Sequence, residues 1–186
     1  MAEEGDDLWV FGYGSLMWRP GFPFVERCHG QLHGYHRALC ILSHVHRGTP
    51  ARPGLVLGLD RGGRCHGVAF RVPGSESEKT VHYLREREQA TAVYLERLLP
   101  IRLQDGRTVK ALSYVADRKH AQYAGRLDFD VVLKIVRQGE GISGRNPDYV
   151  SSTYEHLAGM GVIDPLLRRI IEALGETPAG STGTPT

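Results

Sequence analysis

The chain has 186 residues, of which 41% are hydrophobic and 24% charged, with a formal net charge of +2. That is the make-up of one globular domain with a single substantial core, and the weak, scattered charge argues against nucleic acid or a membrane surface as a partner. No apolar run nears the roughly 20 residues of a membrane span, the start "MAEEGDDL" is acidic where a signal peptide is basic, and Cys28, Cys40 and Cys65 form no Cys-x-x-Cys pair, so free thiols in a cytoplasmic protein are expected.

Residues 1–7 read as a solvated tail, and residues 175–186, rich in Gly, Pro, Ser and Thr, as a disordered one. Between them, 8–174 reads as a single domain. Leu8–Phe11 is the first expected strand. Residues 27–43 form a long strand region with bends or bulges at Gly30 and Gly34. Residues 55–72 read as two strands joined at Arg61-Gly62-Gly63, a hairpin signal. Residues 98–115 read as another pair turning at Asp105-Gly106, with Pro100 demoting its first strand to an edge or a bulge. Four segments read as helices. The first is Glu76–Gln89. The second is Phe129–Gln138, with Asp128 as N-cap and Gly139 as stop. Asn146-Pro147 opens the third in N-cap/N1 style, and Asp164-Pro165 opens the fourth, with Leu167, Ile170, Ile171 and Leu174 inward. The fold class is α+β: a small, mixed, mostly antiparallel β-sheet or barrel with a few packed helices.

The first strand runs straight into Gly12-Tyr13-Gly14-Ser15. A P-loop needs Gly-Lys-Ser/Thr after its spacers, a dinucleotide fingerprint needs glycine at 17, and a nucleophile elbow on Ser15 needs glycines at 13 and 17. None is met. Two readings remain: a plain structural turn, or a nest of backbone N–H groups that takes a carboxylate or phosphate.

The first helix carries an oddity. Val81 and Leu84 share a face, and four residues on, the same stripe reaches Glu88 in place of an apolar residue. Glu86, Glu78 and Lys79 fall off its centre. A carboxylate on a buried edge is costly unless paired, and burial raises its pKa towards the range of proton transfer. Glu88 is either a salt-bridge partner of Arg85 or Arg87 or half of an acid/base site. His44 and His46 read as loop histidines, and no Cys/Asp/Glu cluster supports a metal.

"VFGYGSL" at 10–16, "HRGTPARPG" at 46–54, "GVAFRV" at 67–72, "YLREREQ" at 83–89 and "SGRNPDYV" at 143–150 occur in this order. Together they resemble the ChaC branch of the γ-glutamylcyclotransferases, the glutathione-degrading enzymes, from about residue 8 to residue 174. The resemblance implies a small mixed barrel that is one catalytic domain without cofactor or metal. It implies release of 5-oxoproline from a γ-glutamyl peptide; from glutathione the second product is Cys-Gly. The loop residues Tyr13, Gly14, Ser15 and Leu16 are then expected to hold the γ-glutamyl group, and Glu88 to be the catalytic glutamate. The Ser-Gly-x-Asn-x-x-Tyr pattern maps to Ser143, Gly144, Asn146 and Tyr149, with Tyr149 near the substrate. Arg47 is either a contact for a substrate carboxylate or a solvated loop arginine. One departure stands out: where many relatives follow the glutamate with Gly-Gly-Tyr, this chain has Ala92-Val93-Tyr94, a change that bears on substrate preference rather than reaction type.

The implied chemistry suits the residues. The substrate's own α-amine attacks its γ-carbonyl, so no enzyme nucleophile is needed, and an oriented intramolecular attack can reach an effective molarity of roughly 10⁵–10⁸ M. Two other readings are the same reaction on other γ-glutamyl amino acids or amines, and a non-catalytic regulator that binds a γ-glutamyl metabolite. The glutamate favours an enzyme, because a binder of an anionic ligand gains nothing from an extra buried carboxylate.

Overall fold

The structure, a computed structural model, describes residues 6–89 and 92–175. The expected tails therefore lie mostly outside the described residues. Asp7 does not behave as part of a solvated tail: its carboxylate accepts hydrogen bonds from Arg71 Nη1 at 2.7 Å and from the Gly74 N–H at 3.0 Å.

The chain divides into two compact units, Met1–Cys40 with Leu57–Tyr123, and Ile41–Val56 with Ala124–Thr186. The first unit is built on a closed barrel of five strands: β1 (Leu8–Gly12), β2 (Glu26–Ser43), β3 (Gly54–Val72), β4 (Tyr94–Leu103) and β5 (Thr108–Ala116). Their order around the barrel is β1-β3-β2-β4-β5. The pairing is antiparallel for β1 on β3, from Leu8↔Val72 to Gly12↔Val68, and for β4 on β5 and β2 on β4. The seam is parallel, with Trp9 beside Ala111 and Val10 beside Leu112. The barrel strands bury large side chains on their faces, Phe11, Leu59, Phe70, Ile101 and Tyr114 among them, and this burial favours the closed sheet.

The glycines of β2 and β3 act as the pattern at 27–43 suggests, but not as the one at 55–72 does. Gly34 sits at φ +89, a bend only glycine takes easily. The expected hairpin at Arg61-Gly62-Gly63 is not formed. Gln31 meets His66 and His36 meets the Gly62 carbonyl, so β3 keeps running antiparallel to β2 past the two glycines. Gly62 and Gly63, at φ +103 and +68, bend one continuous strand instead of reversing it. A Gly-Gly pair serves a bulge as well as a turn, and local sequence does not separate the two. The Asp105-Gly106 turn does form, with Gly106 at φ +93. Pro100 lies opposite Lys110 of β5, and β4 pairs with β2 at Ile101, Arg102 and Leu103, so the proline falls just before the doubly paired stretch.

A helix, α1 (Gly74–Glu88), follows β3 in the first unit. The second unit holds α2 (Phe129–Gln138), a small hairpin of β6 (Glu140–Gly141) and β7 (Gly144–Arg145), α3 (Asn146–Gly159) and α4 (Pro165–Ala173). Helix α3 packs against α2 and α4. Asp164 caps α4 as expected, accepting the Leu167 N–H at 3.0 Å. Asn146 does not cap α3. Arg145 holds that position, and the fully buried Asn146 amide instead accepts from Leu55 N–H at 2.7 Å and donates to Leu55 C=O at 2.8 Å. Gly139 is not a left-handed stop either. It is glycine because a Cβ would lie 2.6 Å from the Arg47 carbonyl oxygen and 2.9 Å from Gly54 Cα.

Candidate active site

The glycine loop and Glu88 meet within the first unit. Strand β1 delivers the loop: Val10 and Phe11 are fully buried, and the chain then turns into a short 3-10 turn at Ser15–Met17, closed by a Met17 N–H to Gly14 C=O bond of 2.9 Å. Gly12 makes this turn possible. A Cβ on it would stand 2.8 Å from Leu16 Cβ and 3.2 Å from Met17 N. Gly14 has a different part. Its φ is −133, and a Cβ there would meet only Leu57 Cδ1, at 3.9 Å. None of Gly12, Tyr13, Gly14 and Ser15 has a positive φ. The loop presents the opening N–H groups of a 3-10 turn, which have no partner inside the turn itself.

The loop side chains divide by burial. Tyr13 and Leu16 are 8% and 6% exposed, so both anchor the loop in the core. The Tyr13 carbonyl accepts from Arg37 Nε at 2.7 Å. Ser15 is exposed, and its Oγ accepts a hydrogen bond from Arg87 Nη2 at 2.8 Å.

Glu88 is the last residue of α1. The helix buries Thr80 and Leu84, and Glu88 continues that row at the next i+4 position. The expected stripe is thus rotated by one residue, since Val81 is half-buried, but its conclusion for Glu88 holds. The carboxylate side chain is 18% exposed. Burial pushes its pKa above the ordinary carboxylate value, against the pull of the Arg87 guanidinium, whose Nε lies 3.4 Å from Glu88 Oε1. Glu86, two residues earlier, is 70% exposed and pairs with His82. From the barrel side, Tyr114 of β5 donates its hydroxyl to Glu96 at 3.1 Å, and Glu96 holds Arg85 through both oxygens, at 2.9 and 3.0 Å. Both salt-bridge readings of the sequence are thereby answered: Arg85 is taken by Glu96, and Arg87 is the ion-pair partner of Glu88.

The residues after α1 include the departure noted in the sequence. Ala92 has φ +55, and it is the one non-glycine residue with positive φ among those described. Val93 is buried, and Tyr94 donates its hydroxyl to the Leu57 carbonyl at 2.7 Å.

Arg47 and Tyr149 come together in the second unit. The Arg47 guanidinium lies over the Tyr149 ring, 5.5 Å from its centroid, and Nη1 donates to the Arg145 carbonyl at 3.2 Å. Arg47 is therefore no freely solvated loop arginine. His46 meets Ser143 Oγ at 2.8 Å through Nδ1. The main residue that sequence reasoning passed over is Arg87, which it named only as a possible salt-bridge partner. Its bonds to the loop are visible only once β1 and α1 are folded together.

A family model described as ChaC-like protein matches residues 8–177. The chain is 38% identical to the glutathione-specific γ-glutamylcyclotransferase of Escherichia coli (strain K12), over 91% of this chain and 73% of that relative. It is 33% identical to glutathione-specific γ-glutamylcyclotransferase 1 of Homo sapiens, over 92% of this chain and 81% of the relative. Among solved structures, a yeast γ-glutamyl cyclotransferase specific to glutathione superposes with a TM-score of 0.81 at 22% identity, covering 92% of this chain and 96% of the yeast chain.

Proposed function

The chain belongs to the ChaC-like family, and from that premise we propose that it is a γ-glutamylcyclotransferase that cleaves glutathione into 5-oxoproline and Cys-Gly, with Glu88 as its proton carrier. The observation that carries this reading is the carboxylate itself. Glu88 closes α1, is largely buried, and has its pKa raised by that burial.

The reaction needs little else from the protein. The α-amine of the γ-glutamyl group attacks the γ-carbonyl carbon, a C–N bond forms to close a five-membered lactam, and the amide C–N bond to the cysteine nitrogen breaks. A model α-amine titrates at about 7.7–8.0, so much of it enters protonated. That ammonium first loses a proton to solvent to become the nucleophile. As the C–N bond forms, Glu88 takes a second proton from the attacking nitrogen, leaving the lactam N–H, and delivers it to the departing nitrogen, which leaves as the amine of Cys-Gly. General acid–base help of this kind is commonly worth about 10²–10⁴ in rate, and a raised carboxylate pKa brings donor and acceptor closer in proton affinity.

The loop supplies orientation. The backbone of Tyr13, Gly14, Ser15 and Leu16 grips the γ-glutamyl end, while the buried Tyr13 and Leu16 side chains keep that backbone in place. Holding the substrate in the reactive bend is the larger part of the task. Within the second unit, Arg47 is steadied over Tyr149 and is proposed by itself as a cation that can meet a carboxylate. No protein nucleophile takes part.

The test is incubation of the purified chain with glutathione and a panel of γ-glutamyl amino acids and amines, following 5-oxoproline by mass spectrometry. Release from glutathione, with Cys-Gly in equal amount and undiminished by EDTA, is expected. Binding without release would make the protein a γ-glutamyl sensor instead, and release from the other panel members alone would move the substrate assignment.

A further inference from the structure

The glycine loop and α1 are joined by one side chain. Arg87 Nη1 donates to the carbonyl oxygens of Arg19 at 2.6 Å and Pro20 at 3.3 Å, and to the Tyr83 hydroxyl at 2.9 Å. Its Nη2 donates to Ser15 Oγ at 2.8 Å. Its Nε faces Glu88 Oε1 at 3.4 Å. One guanidinium thus spans both ends of the segment from Ser15 to Pro20 and the carboxylate beside it. The site is built for this group. Arg87 is only 20% exposed, and Gly21 at φ +77 leaves the Tyr83 hydroxyl the space that a Cβ would take.

We infer that Arg87 is a positioning residue of the reaction, which locks the glycine loop onto the last turn of α1 and supplies the counter-charge that keeps Glu88 able to accept a proton. The inference rests on the reading of Glu88 as proton carrier and goes beyond it, because it assigns loop and carboxylate to a single control point. A planar fork reaches four oxygens and a carboxylate at once, with Nη1 sharing its two hydrogens among three of those oxygens; a lysine ammonium is a point charge with three donors and cannot span them.

The charge half of the inference depends on what else faces Glu88. From its own helix it is faced by Arg87, and from β5 by the Tyr114 phenol. Burial first, and then the neighbouring Glu96 carboxylate, push Tyr114 well above its ordinary range, so it is neutral. The next charged groups, Glu96 and Arg85, neutralise each other. Burial raises the Glu88 pKa and Arg87 opposes it, so loss of the guanidinium leaves burial uncompensated and the carboxylate protonated to higher pH.

The experiment compares Arg87→Gln, Arg87→Lys and Glu88→Gln in the full chain, measuring kcat and KM for 5-oxoproline release from glutathione across acid to mildly alkaline pH. Arg87→Gln is expected to move the acid limb of kcat/KM to higher pH and to raise KM by about tenfold or more, as a loosened site does. Arg87→Lys keeps a positive charge beside Glu88 but not the fork. It is expected to restore the acid limb while KM stays high, a split that loss of folding stability alone does not produce. A wild-type KM in Arg87→Lys overturns the loop half, and this arm decides it even where Arg87→Gln does not fold. An acid limb shifted as far in Arg87→Lys as in Arg87→Gln overturns the charge half. If Glu88→Gln is inactive while both Arg87 variants match wild type, the role of Arg87 alone falls. If Glu88→Gln keeps wild-type turnover, the proton-carrier reading falls first and the role of Arg87 with it.

Discussion

At the scale of single residues, Glu88 makes two demands that pull in opposite directions. Glu88→Gln keeps the shape of the side chain but cannot shuttle a proton, so turnover should fall by about 10²–10⁴ while substrate still binds. Glu86→Gln, at an exposed position, is the matched control and should stay near wild type; steady-state kinetics on the pair tests the assignment. The same substitution should help the fold. A pKa raised by folding means that the folded chain holds the Glu88 proton more tightly than the unfolded chain. That stabilising contribution is complete below the unfolded carboxylate pKa and is lost as pH rises through the folded value. Above the folded value the ionised, buried Glu88 therefore costs stability. Glu88→Gln should melt above wild type there, and the gap should close in acid; a melting series over pH reads this directly. Ala92 is a second local cost. A left-handed alanine is strained by roughly 1–2 kcal/mol, against the roughly 0.5–1 kcal/mol that glycine loses in chain entropy. Ala92→Gly should therefore be neutral or stabilising by up to about 1.5 kcal/mol in denaturant unfolding, and a clear loss of stability would show that the Ala92 methyl has a packing role.

At the scale of elements, the two glycines after β1 separate fold from function. Gly12 has no room for a side chain, since the 3-10 turn folds back onto it. Gly12→Ala must displace Leu16 or Met17 from the core, an overpacking cost of about 1–3 kcal/mol, and should lower stability and activity together. Gly14 has room and an ordinary φ. Gly14→Val should lose affinity for glutathione, because it crowds the face of the loop proposed to receive the substrate. Calorimetric binding to folded Gly14→Val decides it; unchanged affinity would make the loop a turn and nothing more. In the second unit, Asn146 ties the start of α3 to Leu55 of the same unit by satisfying both of its backbone groups. Asn146→Ala leaves a buried donor and acceptor unpaired, at about 1–3 kcal/mol each. Asn146→Asp should be nearly as damaging in chemical unfolding, because a carboxylate cannot donate to the Leu55 carbonyl. The asparagine of the Ser-Gly-x-Asn-x-x-Tyr pattern is thus part of the framework that presents Tyr149.

At the scale of the whole molecule, what could be read from the sequence follows the range of the interactions involved. Helix α4 was legible because its signals are local: Asp164, Pro165 and the apolar spacing through Leu167, Ile170 and Ile171 all lie within three turns. Glu88 was legible for the same reason, as a carboxylate on the wrong side of a helical row. The Gly62-Gly63 bulge was not, because whether two glycines reverse a strand or bend it depends on a partner strand some 30 residues away. Asn146 looked like a cap because its true acceptor and donor lie far along the chain, at Leu55. Arg87 stayed hidden because its acceptors are backbone carbonyls, which carry no mark in a sequence.

The parallel seam of the barrel has its own consequence in time. Trp9 and Ala111, about a hundred residues apart, must meet before the barrel closes, whereas β4 and β5 are joined by a tight turn. Closing a loop of that length costs roughly 4 kcal/mol in chain entropy, so β1 docks on β5 late, after the hairpin it docks onto exists. On a ribosome adding roughly 5–20 residues per second, β1 waits on the order of 5–20 s for that neighbour. During that interval the strand that carries the glycine loop has an open edge, a template for pairing with another nascent chain. The acidic residues that lead into it, Glu3, Glu4, Asp6 and Asp7, give that waiting edge a negative charge that repels its own copies.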